Sequence, residues 1–557
     1  MSTVTSRFGA LNSLVGPKIP ISYRSPVGIG EIYQAAADKF GRVPLVVNTP
    51  LDIDPKQRHE LDYVEAALLV ENLSGALHSA GVRAWDRVAI VKRSSYDTLL
   101  IAAAAARIGA IPALISPNLN PLGKALQVLL ARLDQPFLFT DEATLEKAGL
   151  ASADLSHLTK GVIGPAQGGR PLGDLFGGVV PPADPRKGEE PMFITHTGGT
   201  TGVPKMAEQS VAGASHVANI EARRSPWSQS PSDTIASCIT FVHGRSVYGA
   251  LTTLTRGSKL LALTSPADGT LLRLFAQHKP TILESHPNQL MAWEHLCDHP
   301  DEPFANVRIY FNTFDAAHPR TISKLLEASR QRMPLYLQCY GMTEVGPVTV
   351  RAYTRSSIKR ISQATDTSSR DLGWPVPFAT AFRIVDPETK EPVPRGTTGM
   401  IQARTRARCL TFIAQPEKYW KRRHGPWFDT GDFGRATRSR TLQMLDRQVD
   451  RIEGVDSCLW LEDTLTTKVP SICEVVVIAD AEGVPVPLVW THGDEPLDHR
   501  EWAAATRELP GLGAPQQLTS DQLPRTETFK ARRFLLRDRL QGRRIEAPAD
   551  VLLRDGA

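Results

Sequence analysis

The stretch from Arg87 to Ile115 constrains the fold more than any other part of this chain. Arg87-Val88-Ala89-Ile90-Val91 reads as a short buried strand, Tyr96–Ile108 as a helix, and Ile111–Ile115 as the next strand. Two strands apolar along their whole length, joined by a helix, call for a parallel sheet covered on both faces. The apolar run Leu99–Ile115 is broken by Arg107, Gly109 and Pro112. It therefore reads as a buried helix running into a strand, not as a membrane span.

The same alternation holds from about residue 30 to 180, with Tyr63–Ala80 at helical spacing. It resumes after residue 205, where Thr234–Phe241, Lys259–Leu263, Thr281–Glu284 and Arg308–Phe311 are expected strands. Around residue 370 the texture changes. Prolines and turns crowd Gly373–Pro394, and Phe382–Val385 and Met400–Ala403 read as strands of a smaller β unit. Beyond Gly454 the chain is short and mixed, with a strand at Glu474–Ile478 and a charged helix at Ala531–Leu540. A chain of 557 residues is too long for one core and needs two or three packed units.

Composition narrows the class. Apolar residues make up 41% and charged residues 22%, the balance of a globular enzyme. A net charge of +5 over this length leaves no nucleic-acid footprint. Six cysteines without a CxxC pair argue against a zinc site or a disulfide framework, and fit a cytoplasmic location. The N-terminus lacks the charged-then-apolar layout of a signal peptide.

One segment carries chemistry. Thr197-Gly198-Gly199-Thr200-Thr201-Gly202-Val203-Pro204-Lys205 follows the expected strand Met192–Thr195. Its glycines let backbone N–H groups approach an anion, and two threonine hydroxyls and a lysine can donate to phosphate oxygens. It is not a Walker A loop, because Val-Pro-Lys follows Gly202. A flexible surface turn is the alternative reading of this segment alone.

Four later segments stand in a fixed order behind it. They are Tyr340-Gly341-Met342-Thr343-Glu344, Trp427-Phe428-Asp429-Thr430-Gly431-Asp432, Asp446-Arg447-Gln448-Val449-Asp450 and Pro524-Arg525-Thr526-Glu527-Thr528-Phe529-Lys530. Together with the loop they resemble the signatures of the AMP-forming adenylating superfamily, which includes acyl-CoA synthetases, peptide-synthetase adenylation domains and luciferases. The resemblance covers nearly the whole chain. It implies an α/β fold with a large N-terminal domain of two helix-covered sheets plus a small β subdomain (residues 1–445). A hinge at 446–454 and a small mobile α+β C-terminal domain (455–557) carrying the catalytic lysine would complete it.

The resemblance also implies roles. Thr197, Gly198, Gly199, Thr200, Thr201, Gly202 and Lys205 would wrap the β- and γ-phosphates of ATP. Glu344 would bind Mg²⁺, Thr343 the α-phosphate, and Tyr340 would stack near adenine. Asp432 would accept from the ribose hydroxyls and Arg447 would reach the ribose or phosphate. Lys530 would bridge the acid and the α-phosphate in the transition state, with His243 beside them. For His243 a buried structural histidine is the competing reading. Glu284-Ser285-His286-Pro287 is expected to line the acid pocket.

The expected reaction is attack of a small-molecule acid on ATP with loss of pyrophosphate, then transfer to an acceptor. CoA is the commonest acceptor; an amine, a carrier protein, or nitrite activation for diazotisation are the alternatives, and a non-catalytic nucleotide-binding relative is a reading of another class. Departures bear on the choice. Gly198 and Met206 replace the loop's usual serine and glycine, and Thr313-Phe314-Asp315-Ala316 stands where Gly-Gly-Ala-Pro is usual. Val449 occupies the hinge, Arg451–Val455 is about two residues shorter than the usual loop, and Phe529 replaces the glycine before Lys530. These leave the first half-reaction intact and weaken the case for a CoA channel.

Overall fold

The computed structural model describes residues 27–119, 121–197, 203–223, 229–363, 370–377, 379–509, 511–519, 521–525 and 531–542. Arg87–Val91 and Ile111–Leu114 do pair in parallel. They belong to a seven-stranded sheet that continues through Phe137–Thr140 and Gly161–Ile163 on one side and Pro191–His196 on the other. Two antiparallel strands, Met206–Ser210 and Thr411–Phe412, close its edge.

A nine-stranded sheet faces it. Its parallel centre holds Leu335–Met342, Ile309–Asn312, Ile282–Ser285, Thr234–Cys238, Lys259–Ala262 and Pro44–Val47. The first of these turns back antiparallel onto Gly346–Tyr353. Helices Ile29–Phe40, Tyr63–Ser79, Asp97–Arg107, Val211–Arg223 and Gly244–Arg256 share one core with strands of both sheets.

The helix Asp97–Arg107 shows why this layering follows from sequence. Every residue from Asp97 to Ala106 is buried, so the helix is apolar on all sides. Its one buried acid, Asp97, is paired with the equally buried Lys92. Small alanines let it pack closely, and the substitution Ala103→Asp would bury an unpaired charge at a cost of several kcal/mol. Helix Tyr63–Ser79 begins at a capping box. Asp62 accepts from the Glu65 N–H at 2.9 Å, and Glu65 accepts from the Asp62 N–H at 3.0 Å.

The β unit expected near residue 380 is an antiparallel five-stranded sheet of Thr380–Val385, Gly399–Thr405, Trp427–Ala436, Arg423–His424 and Leu442–Arg447. The last part of the chain builds a three-stranded sheet from Ile472–Ala479, Pro485–Thr491 and Gln516–Gln517, with helices Cys458–Lys468, His499–Thr506 and Arg533–Leu540. The fold class is α/β, as the sequence implies. Strand Thr234–Cys238 stops three residues before the expected end, because Ile239–Gly244 turns toward the site to start a helix.

Candidate functional site

A cavity of about 840 Å³ opens where the sheets and the C-terminal segment meet. Thr197, Lys205, His243, Tyr340, Thr343, Glu344, Asp432 and Arg447 all line it. Residues more than two hundred positions apart in sequence are thus brought to one wall.

The glycine-rich segment leaves strand Pro191–His196 and is tied at its neck. The Thr197 N–H donates to the Lys205 carbonyl at 2.9 Å, and the Lys205 N–H donates to Thr197 Oγ1 at 3.2 Å. The Lys205 ammonium stands over the Phe412 ring, 5.6 Å from its centroid. Gly198, Gly199, Thr200, Thr201 and Gly202 lie outside the described residues, as does Lys530.

Tyr340–Glu344 forms the end of one strand and the turn into the next. Gly341 is required there, since a Cβ would meet the Gly346 carbonyl oxygen at 2.5 Å. Gln209 Nε2 donates to the Thr343 carbonyl at 2.8 Å and fixes the turn against strand Met206–Ser210 of the other sheet. Glu344 is buried, and its Oε1 lies 2.8 Å from Arg422 Nη1. Arg422 also donates to the carbonyls of Asp429 and Thr430.

The Tyr340 hydroxyl donates to Asp432 Oδ2 at 2.6 Å. Burial first, and then the Asp432 carboxylate, hold the Tyr340 phenol well above its ordinary pKa, so it stays a donor. Asp432 and Arg447 are direct partners on adjacent strands, with Arg447 Nε 4.0 Å from Asp432 Oδ1. Tyr340, Asp432 and Arg447 therefore form one polar cluster.

His243 is the N-cap of helix Gly244–Arg256, and its Nδ1 accepts from the Arg245 N–H at 3.1 Å. That assignment leaves the ring proton on Nε2. The ring packs edge-on against Phe314, centroids 4.7 Å apart, and Phe314 touches His286 at 4.3 Å. Behind them Arg245 is buried between two acids, 2.5 Å from Glu284 Oε1 and 2.6 Å from Glu221 Oε1. Burial works against the Arg245 charge, yet Glu221 and Glu284 hold its pKa above the ordinary value.

The C-terminal segment closes the other side. Asp446 accepts from the N–H groups of Cys458 and Leu459 at the start of helix Cys458–Lys468. Asp450 pairs with Arg537 at 2.8 Å, and Arg533 reaches Glu462 at 2.5 Å. Arg422 and Glu221 are residues of this site that sequence reasoning missed as participants, whereas Asp446 reads as part of the hinge motif. Arg422 carried only the signal of a basic cluster, which reads as solvated surface, and no local pattern marks Glu221.

Comparison with known proteins follows the same lines. The AMP-binding enzyme family matches residues 33–408. The chain is 37% identical over 540 residues to 3-amino-2-hydroxy-4-methoxybenzoate diazotase of Streptomyces cremeus, across 92% of this chain and 96% of that one. It is 24% identical over 439 residues to 3-aminoavenalumate diazotase of a Streptomyces species, across 75% and 73%. The fold is shared with ATP-bound MatB of Rhodopseudomonas palustris, at a TM-score of 0.75 and 20% identity over 92% of this chain and 98% of that chain.

Proposed function

The chain belongs to the AMP-binding enzyme family, and from that membership we propose that it uses ATP to activate nitrite and transfers the nitroso group to an aromatic amine. The observation that carries this reading is the 37% identity, over 92% of the chain, to a protein named as a diazotase of an aminobenzoate. Departures near the acceptor, at Val449 and in the shortened Arg451–Val455 stretch, favour an acceptor other than CoA.

The chemistry runs in two steps. A nitrite oxygen attacks the α-phosphorus of ATP, pyrophosphate leaves, and nitrosyl-AMP forms. The amine nitrogen then attacks the nitroso nitrogen, the N–O bond to the phosphate breaks, and AMP leaves. The nitrogen releases one proton to give an N-nitrosamine, the second N–H proton moves to the nitroso oxygen, and the resulting diazohydroxide loses hydroxide, giving the diazonium ion.

On this reading Asp432 accepts from the ribose hydroxyls, and the Tyr340 hydroxyl, 2.6 Å away, keeps its carboxylate aimed. Lys205, with Thr200 and Thr201, holds the departing phosphates. The Nε2–H of His243 donates to an oxygen of the acid or the α-phosphate. Among the described residues no group of three or more His, Cys, Asp or Glu is arranged to hold a metal. One buried carboxylate, Glu344, fits a Mg²⁺ that takes its other ligands from phosphates and water. Such an ion supplies positive charge to the leaving pyrophosphate. Arg422, beside Glu344, adds a fixed cation at the same place. We read 446–454 as the hinge that brings Lys530 to the α-phosphate. The six cysteines form no disulfide, which fits a reducing cytoplasm, and no helix among the described residues is long and apolar enough to cross a membrane.

The test is pyrophosphate release from ATP and Mg²⁺ with nitrite and with a panel of carboxylic acids, each with and without CoA. An aminohydroxybenzoate serves as acceptor, and a phenol traps the diazonium as an azo dye. Nitrite-dependent release with dye formation is expected. Release only with carboxylic acids, with a thioester found by mass, would overturn the proposal.

A further inference from the structure

Phe314 stands where the adenylating pattern usually has a glycine, and it keeps a glycine's backbone. Its φ is 84°, in the left-handed region that a bulky residue rarely adopts. A phenylalanine held against its backbone preference, at the wall of a functional cavity, points to a task for the ring.

The ring's surroundings define that task. It meets His243 at 4.7 Å and His286 at 4.3 Å between centroids. Rings at these separations are in contact, and no further atom fits between them. On the reading above His243 heads the helix beside the acid and α-phosphate positions, and His286 stands next to it, its Nε2 3.3 Å from the Thr240 N–H, at the start of the helix Pro287–Ala292. Tyr248, Met291 and Phe311 line the same cavity as Phe314.

We propose that Phe314 determines specificity for the acid, its ring filling the passage that the substituent of a carboxylic acid would need. A carboxylate held at the α-phosphate must project its carbon chain away from the phosphorus, toward the His243–His286 wall. Nitrite has no substituent and needs no passage. This inference rests on the nitrite reading above and assigns one residue the exclusion of organic acids.

The experiment uses the full chain and the variants Phe314→Gly and Phe314→Ala, with ATP-dependent pyrophosphate release from nitrite and from benzoate. Glycine suits the backbone at φ 84°, and retained ATP binding and a cooperative melt confirm folding. The ratio of benzoate to nitrite turnover should rise about tenfold or more in Phe314→Gly, the usual scale for opening a steric pocket. A folded variant whose ratio stays at the wild-type value, or one that loses both activities, overturns the role of Phe314 and leaves the nitrite reading standing. A wild-type protein silent with nitrite overturns the nitrite reading; a gain of benzoate turnover in Phe314→Gly would then still support the ring as the barrier. Wild-type turnover of benzoate equal to that of nitrite overturns the barrier.

Discussion

Arg422 Nη1 lies 2.8 Å from Glu344 Oε1, and the same guanidinium holds the carbonyls of Asp429 and Thr430 at 2.9 and 2.8 Å. One side chain therefore ties the turn after Tyr340 to the strand that presents Asp432. Substituting Arg422→Met leaves a buried carboxylate and two carbonyls without their donor. Hydrogen bonds to charged groups are worth about 1.5–3 kcal/mol, so kcat/KM for ATP should fall about tenfold to a hundredfold. Arg422→Lys should recover only part of this, because an ammonium cannot span three acceptors as the planar fork does. Steady-state kinetics at varied ATP and Mg²⁺ decide it.

Tyr340 and Asp432 should act as a unit. Asp432→Asn is expected to raise the KM for ATP more than it lowers kcat, since on the proposed role Asp432 holds the ribose in ground and transition states alike. Tyr340→Phe should do the same more weakly. Because the hydroxyl and carboxylate are 2.6 Å apart, the double variant should depart from additivity by about 0.5–3 kcal/mol. Additive effects would separate the two residues.

Stability should carry a pH signature from Asp446. Burial pushes its carboxyl up to about 7, against the N–H groups of Cys458 and Leu459. In the unfolded chain an aspartate titrates near about 4. Between those values the folded state holds a proton that the unfolded state has lost, so this contribution is full below about pH 4 and is lost as pH rises through about 7. Asp446→Asn stays neutral and keeps an accepting oxygen. Its melting temperature should therefore gain on the wild type as pH goes from 5 to 8, and a difference constant with pH would refute the assignment.

Lys530→Ala should cut pyrophosphate release by about a hundredfold or more, the scale of losing one preorganised donor to developing charge. Nucleotide binding, measured by calorimetry, should change little. Turnover close to that of the wild type would remove the lysine from the reaction.

The layered α/β frame was legible because burial on both faces of a parallel sheet leaves an unbroken apolar run in the sequence, as in Val88–Val91 and Leu99–Ala106. The polar site was legible in a different way, through short ordered motifs. Tyr340, Glu344, Asp432 and Arg447 do line one cavity with Thr197, Lys205 and His243. Neither kind of signal reaches Arg422 or Glu221, whose partners lie 78 and 24 positions away.

The sequence by itself determined which segments are strands, which helices are buried, and which residues make up the ordered motifs. These follow from local periodicity and from backbone requirements such as that of Gly341. Only the tertiary structure decided that Arg422 neutralises Glu344, that Arg245 sits between two acids, and that the Phe314 ring rests on His243 and His286. Ion pairs and ring contacts depend on distances between segments far apart along the chain, and those distances exist only once the sheets have packed.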